Sequence, residues 1–150
     1  HEFYDQLPAH WSYELDNRLQ GRGWEISGKN SDFQALSKSY IRILKTAQVD
    51  RDDIVVQEID SLAKQGVETR RAFLSEMLCL EYPDEFPVWA KPVRDFLSQI
   101  NFRPPRRASE GVRYLDLAKK FRLALMENPR HPANNLAELD MVIWLAYGRK

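Results

Sequence analysis

Residues 70–100 read RRAFLSEMLCLEYPDEFPVWAKPVRDFLSQI, and the reading of this stretch decides the fold. Phe73, Leu74, Met77, Leu78 and Leu80 recur at helical spacings and trace a broad apolar face. The helix must stop near Glu81, because Tyr82 precedes Pro83 and a pre-proline residue is pushed out of the α region. Asp84 suits a turn, and Phe86 again precedes a proline. Pro87-Val88-Trp89 is then expected to be extended. Pro92 fits the first turn of a second helix, where its missing N–H costs nothing. Val93, Phe96, Leu97 and Ile100 follow at i, i+3, i+4 and i+7. The expectation is a helix, a proline-fixed corner filled by Tyr82, Phe86 and Trp89, and a second helix. Aromatic side chains bury large areas, so such a corner can anchor a core. Core packing is the first reading of these rings, and a ligand-stacking role for Trp89 is the second.

Outward from this stretch the punctuation is helical. Pro8 opens an expected helix over residues 8–20, with Trp11, Leu15 and Leu19 on one face, closed by Gly21 and Gly23. Trp24 and Ile26 flank Glu25 in a short piece readable as strand or loop. Ser31 with Gln34 has the form of a capping box for a helix reaching about Gln48. Its buried stripe would be Phe33, Leu36, Tyr40, Ile43 and Leu44. Asp50 is expected to cap the next helix, with Asp52 and Asp53 in its first turn and Gly66 at its end. Ile54, Val55, Ile59, Leu62 and Ala63 would face inward. After residue 100, Pro104 and Pro105 enforce a loop. Ser109 can cap a helix ending near Asn128, with Tyr114, Leu117, Ala118, Phe121 and Leu125 inward. Asn135 with Glu138 makes a further capping box before the last helix. The fold class expected is all-α: an irregular or orthogonal bundle of about seven helices, little or no strand, forming one domain over residues 1–150.

The pattern Leu74-Ser75…Leu78…Tyr82-Pro83-Asp84-Glu85-Phe86-Pro87-Val88-Trp89…Pro92-Val93-Arg94…Leu97 resembles a segment of the helical domains beside McrBC-type restriction motors. Those motors are GTP-driven AAA+ machines that cut modified DNA. Leu139-Asp140…Trp144 is similar to the way such domains close, so the resemblance covers residues 70–147, about half the chain. It implies a non-catalytic accessory or targeting domain of a restriction or defence protein. DNA, perhaps modified, and an AAA+ motor in the same or a neighbouring chain are then its partners. One position departs: after the Trp a small polar residue, often Asn, is expected, and this chain has Ala90. Any ligand contact made by that Asn would be absent. No catalytic residue is carried over, because the motor chemistry lies in another domain.

Charge is balanced overall, with 22 basic and 22 acidic residues, but it is unevenly placed. Residues 51–100 carry six basic and ten acidic groups; residues 101–150 carry ten basic and five acidic. Such asymmetry suits a nucleic-acid surface, an internal match between segments, or a partner interface. The basic set is Arg103, Arg106, Arg107, Arg113, Lys119, Lys120 and Arg122. Guanidinium forks suit phosphate oxygens, and phosphate contacts give affinity without sequence information. Phe102 and Tyr114 lie among these cations and, with Trp89, are the candidates for stacking on a base. The competing reading is a solvated charged face, some of its arginines paired to the acidic middle third.

Other chemistry was sought in vain. His1, His10 and His131 show no metal spacing, and there is no phosphate-binding glycine loop, GxGxxG or GxSxG. No catalytic residue, metal site or cofactor is therefore expected. Glu76, Glu81, Asp84 and Glu85 read as a solvated acidic cluster. Cys79, the one cysteine, reads as a small buried hydrophobe in a reducing, cytoplasmic setting. No apolar run is long enough to span a membrane. His1 at the front and Gly148-Arg149-Lys150 at the end prompt the expectation of a domain excised from a longer chain. The alternative to DNA binding is a protein-docking module without nucleic-acid contact.

Overall fold

The computed structural model describes residues 31–148. Six helices run through them: α1 (Phe33–Leu44), α2 (Gln48–Lys64), α3 (Arg70–Glu81), α4 (Lys91–Gln99), α5 (Glu110–Glu127) and α6 (Leu136–Tyr147). No strand occurs among the described residues, so the all-α class holds. The helix expected over residues 8–20, and the piece around Trp24 and Ile26, lie outside the described residues.

Helix ends follow local chemistry, with two corrections. The N-cap of α1 is Asp32, whose carboxylate accepts from the Ala35 N–H at 3.0 Å. Ser31, expected in that role, instead donates to the Glu68 carbonyl and meets the Thr69 hydroxyl at 2.6 Å. α1 stops at Leu44, and α2 starts at Gln48 behind Ala47, without a side-chain cap. Asp50 therefore lies in the first turn of α2 and does not cap it. The end of α2 is as expected. Gly66 has φ +66°, its N–H bonds to the Ala63 carbonyl, and the Val67 N–H reaches the Leu62 carbonyl at 3.0 Å. This is a Schellman closure, sealed by the buried pair Leu62 and Val67. Ser109 and Asn135 cap α5 and α6 as their spacing required.

The corner behaves as the prolines dictate. α3 ends at Glu81, and the N–H groups of Glu85 and Phe86 both turn back to the Tyr82 carbonyl. Phe86 and Val88 are buried, while Trp89 is half-buried. The Trp89 N–H bonds to Ser75 Oγ in the middle of α3, and the Leu136 N–H bonds to the Pro83 carbonyl. The corner is thus tied to the helix before it and to the start of α6. Glu85 is not part of a solvated cluster: Arg51 Nη1 grips it at 2.6 Å, and the Arg51 guanidinium lies 3.7 Å from the Tyr82 ring centroid. A buried cation over an aromatic face is well supported only by Arg, whose planar group stacks.

Two hydrophobic clusters share α5. One joins α1, α2, α3 and Phe86 to Tyr114 and Ala118. The other joins α4 and α6 to Leu117 and Phe121, and Trp89 packs against both. The most extensive helix contact is between α2 and α5. It depends on Gly111: a Cβ there would sit 2.4 Å from the Val56 carbonyl oxygen. The Gly111 N–H instead donates to Asp60 Oδ1 at 2.8 Å, so a bare backbone lets the two helices touch. Cys79 is buried, as its place on the apolar face led us to expect.

Candidate nucleic-acid interface

The basic loop is held at both ends. α4 closes with Asn101 at φ 55° and the Phe102 N–H on the Leu97 carbonyl, a second Schellman closure. This throws Phe102 onto the α4/α6 cluster, with Lys120 Nζ 4.6 Å from its ring centroid. Lys120 Nζ also donates to the Arg103 carbonyl, at 3.4 Å. At the far end, Ser109 Oγ accepts from the Val112 N–H and starts α5. Residues 103–109 therefore run back along the first three turns of α5, a span of about 16 Å at the usual rise per residue.

Arg103, Arg106 and Arg107 are exposed on that loop, and Arg113 and Lys119 are exposed on α5. None of the five belongs to any ion pair among the described residues. Their charges are available to solvent or to a polyanion. Residues 110, 113, 117 and 120 share one flank of α5, at helical spacings of three and four. Arg113 and Lys120 thus line the flank that the loop follows.

Two expected members do not belong. Arg122 lies on the other flank, its Nη2 and Nη1 bound to the Asp52 carboxylate at 3.1 and 3.2 Å and its Nε bonded to the Glu85 carbonyl. Its guanidinium also stacks 5.1 Å from the Phe86 centroid, so it braces α2 and the corner to α5. Tyr114 is fully buried, its ring stacked by Phe86 at 6.2 Å and by Trp89 at 5.6 Å. No face of it is left for a base. Lys120 is exposed but paired with Asp116 at 2.8 Å, a weak surface bridge that an incoming phosphate can replace. Phe102 and Trp89 are half-buried; Trp89 carries Tyr114 on one side and the Arg71 guanidinium at 5.5 Å. A base could stack on Trp89 only by displacing Arg71.

Arg71 and Arg94 are the residues that sequence reasoning missed. Arg71 projects from the first turn of α3 and Arg94 from the first turn of α4, on either side of Trp89. The Arg94 guanidinium is held below its ordinary pKa by partial burial and by the positive charge of Arg71. Each is isolated in sequence among acidic residues, so no run of charge announces the pair.

No family model matches the chain, and no curated protein or solved structure is significantly similar to it. Among the described residues no group of three or more His, Cys, Asp or Glu is arranged to hold a metal ion. No helix in them is long and apolar enough to cross a membrane.

Proposed function

We propose that the chain is a non-catalytic DNA-binding or targeting domain of a cytoplasmic McrBC-like restriction or defence protein, serving an AAA+ motor. The observation that carries this reading is the set of five exposed cations without carboxylate partners: Arg103, Arg106, Arg107, Arg113 and Lys119. They follow a loop and helix flank about 16 Å long. Duplex DNA presents one strand phosphate per ~3.4 Å of axis, so such a strip spans several. Binding of this kind grips the backbone and positions the domain; sequence preference would need base contacts elsewhere. Anisotropy titrations at low salt with plain duplex, modified duplex and single-stranded DNA test it. Affinity that falls with salt is the expected result, and no binding to any of the three removes the reading.

A second reading has its own support. The outward side of α6 carries Met141, Val142 and Leu145, exposed by 39, 40 and 62%. An apolar outer face on a terminal helix suits a protein-docking module. Co-purification with a neighbouring motor chain, lost on Leu145→Glu and unaccompanied by DNA binding, would favour it.

A further inference from the structure

We propose that Arg71 and Arg94, set on either side of Trp89, form a two-guanidinium clamp for a phosphate group. The proposal rests on the DNA-binding reading for its ligand, a backbone phosphodiester that continues the strip of loop arginines.

The argument starts from which carboxylates are free to neutralise these cations. Glu110 is the acid nearest Arg71, but Arg70 holds both of its oxygens, at 2.8 and 2.9 Å. Arg71 Nε stands 3.6 Å from Glu110 Oε1, beyond hydrogen-bond reach. Asp95 is the acid nearest Arg94, and Lys91 takes it at 2.5 Å. Each local carboxylate thus serves another cation, and two guanidiniums remain close enough to repel each other. Like charges held together favour an anion between them. The repulsion shows in the lowered pKa of Arg94.

The mount is rigid. The Arg71 guanidinium lies over the Trp89 ring, which is itself stacked on Tyr114 at 5.6 Å and 15° and fixed by its N–H to Ser75. Stacking orients the planar fork and leaves its N–H edge for a bidentate contact with phosphate. The position also joins the known strip. Glu110, touched by Arg70 and Arg71, stands one turn before Arg113 on the flank of α5 that the basic loop follows. The clamp then lies at the N-terminal end of that flank.

The test uses the full chain, its Arg71→Gln and Arg94→Gln variants, and Arg94→Lys. DNA affinity is measured across a salt series, with thermal melting as a check on folding. Each Gln variant should reduce the slope of log affinity against log salt by about 0.9, the value of one phosphate contact. Arg94→Lys should keep the slope but bind more weakly, because the fork is lost. Wild-type DNA binding with unchanged slopes in both Gln variants overturns the clamp and leaves the DNA-binding reading standing. If the wild type binds no DNA, the clamp is judged by side-chain Nε–H resonances during titration with inorganic phosphate against chloride at matched ionic strength. Shifts at Arg71 and Arg94 would uphold a phosphate site without DNA; their absence would overturn it.

Discussion

The Tyr114 hydroxyl donates to the Pro87 carbonyl at 2.7 Å, inside a site closed to solvent. One hydrogen bond therefore locks the middle of the core to the proline corner. Removing it by Tyr114→Phe leaves the Pro87 carbonyl buried without that donor. The expected loss is about 1–3 kcal/mol of stability, read from the urea midpoint at unchanged slope.

Burial pushes the Tyr114 phenol well above its ordinary pKa of 10.0, and burial with the nearby Glu81 charge pushes Tyr40 up to about 12. The folded state therefore keeps protons that the unfolded chain releases from about pH 10 upward. Stability is whole below that pH and falls as pH rises through the folded values. Alkaline unfolding should begin above about pH 10, with Tyr114 phenolate absorbance appearing only together with loss of helix. Tyr114→Phe should flatten that decline even though it lowers stability at neutral pH. Phenolate absorbance from Tyr114 in a still-folded chain would contradict this.

Ala90 is the N-cap of α4, at φ −113° and ψ 176°, and it supplies no side-chain bond. The Asn that the resemblance leads one to expect there would sit in a preferred capping position. Ala90→Asn should therefore stabilise the fold by about 0.5–2 kcal/mol, measured by thermal melting. DNA affinity should stay within twofold of wild type, since capping is local (about 0.4 kcal/mol at most).

The basic residues should divide by experiment as they divide by position. Arg106→Ala with Arg107→Ala should reduce the salt slope of DNA binding by about 1.8 and leave melting unchanged. Arg122→Ala should do the reverse. It strips partners from Asp52 and the Glu85 carbonyl, costing roughly 1 kcal/mol, and it should spare the salt slope.

Most of the helical order was legible because it is written in local signals. Pro83, Pro87 and Pro92 set the corner, Gly66 closes α2, and Ser109 and Asn135 open α5 and α6. The misplaced starts of α1 and α2 have a physical cause. Adjacent Ser31 and Asp32 compete for one cap, and the winner was decided by a partner at Thr69, far away in sequence. α2 began without any side-chain cap, so no residue marked it. The site was legible as a surplus of positive charge but not as a surface. Arg122 and Asp52 lie 70 residues apart, and nothing local reveals their bond. Tyr114 has the spacing of both a core residue and a loop-adjacent aromatic, and only its rings' neighbours decide between them. Arg71 and Arg94 become a pair only when the corner folds back.

Because α5 lends Tyr114 and Ala118 to one apolar cluster and Leu117 and Phe121 to the other, neither half has a private spine. Melting one strips a wall from its neighbour. Heat or denaturant should find a single cooperative collapse of order. A grip on the loop that starts α5 is therefore a grip on the whole body, and a motor pulling there would drag a unit and not peel a layer.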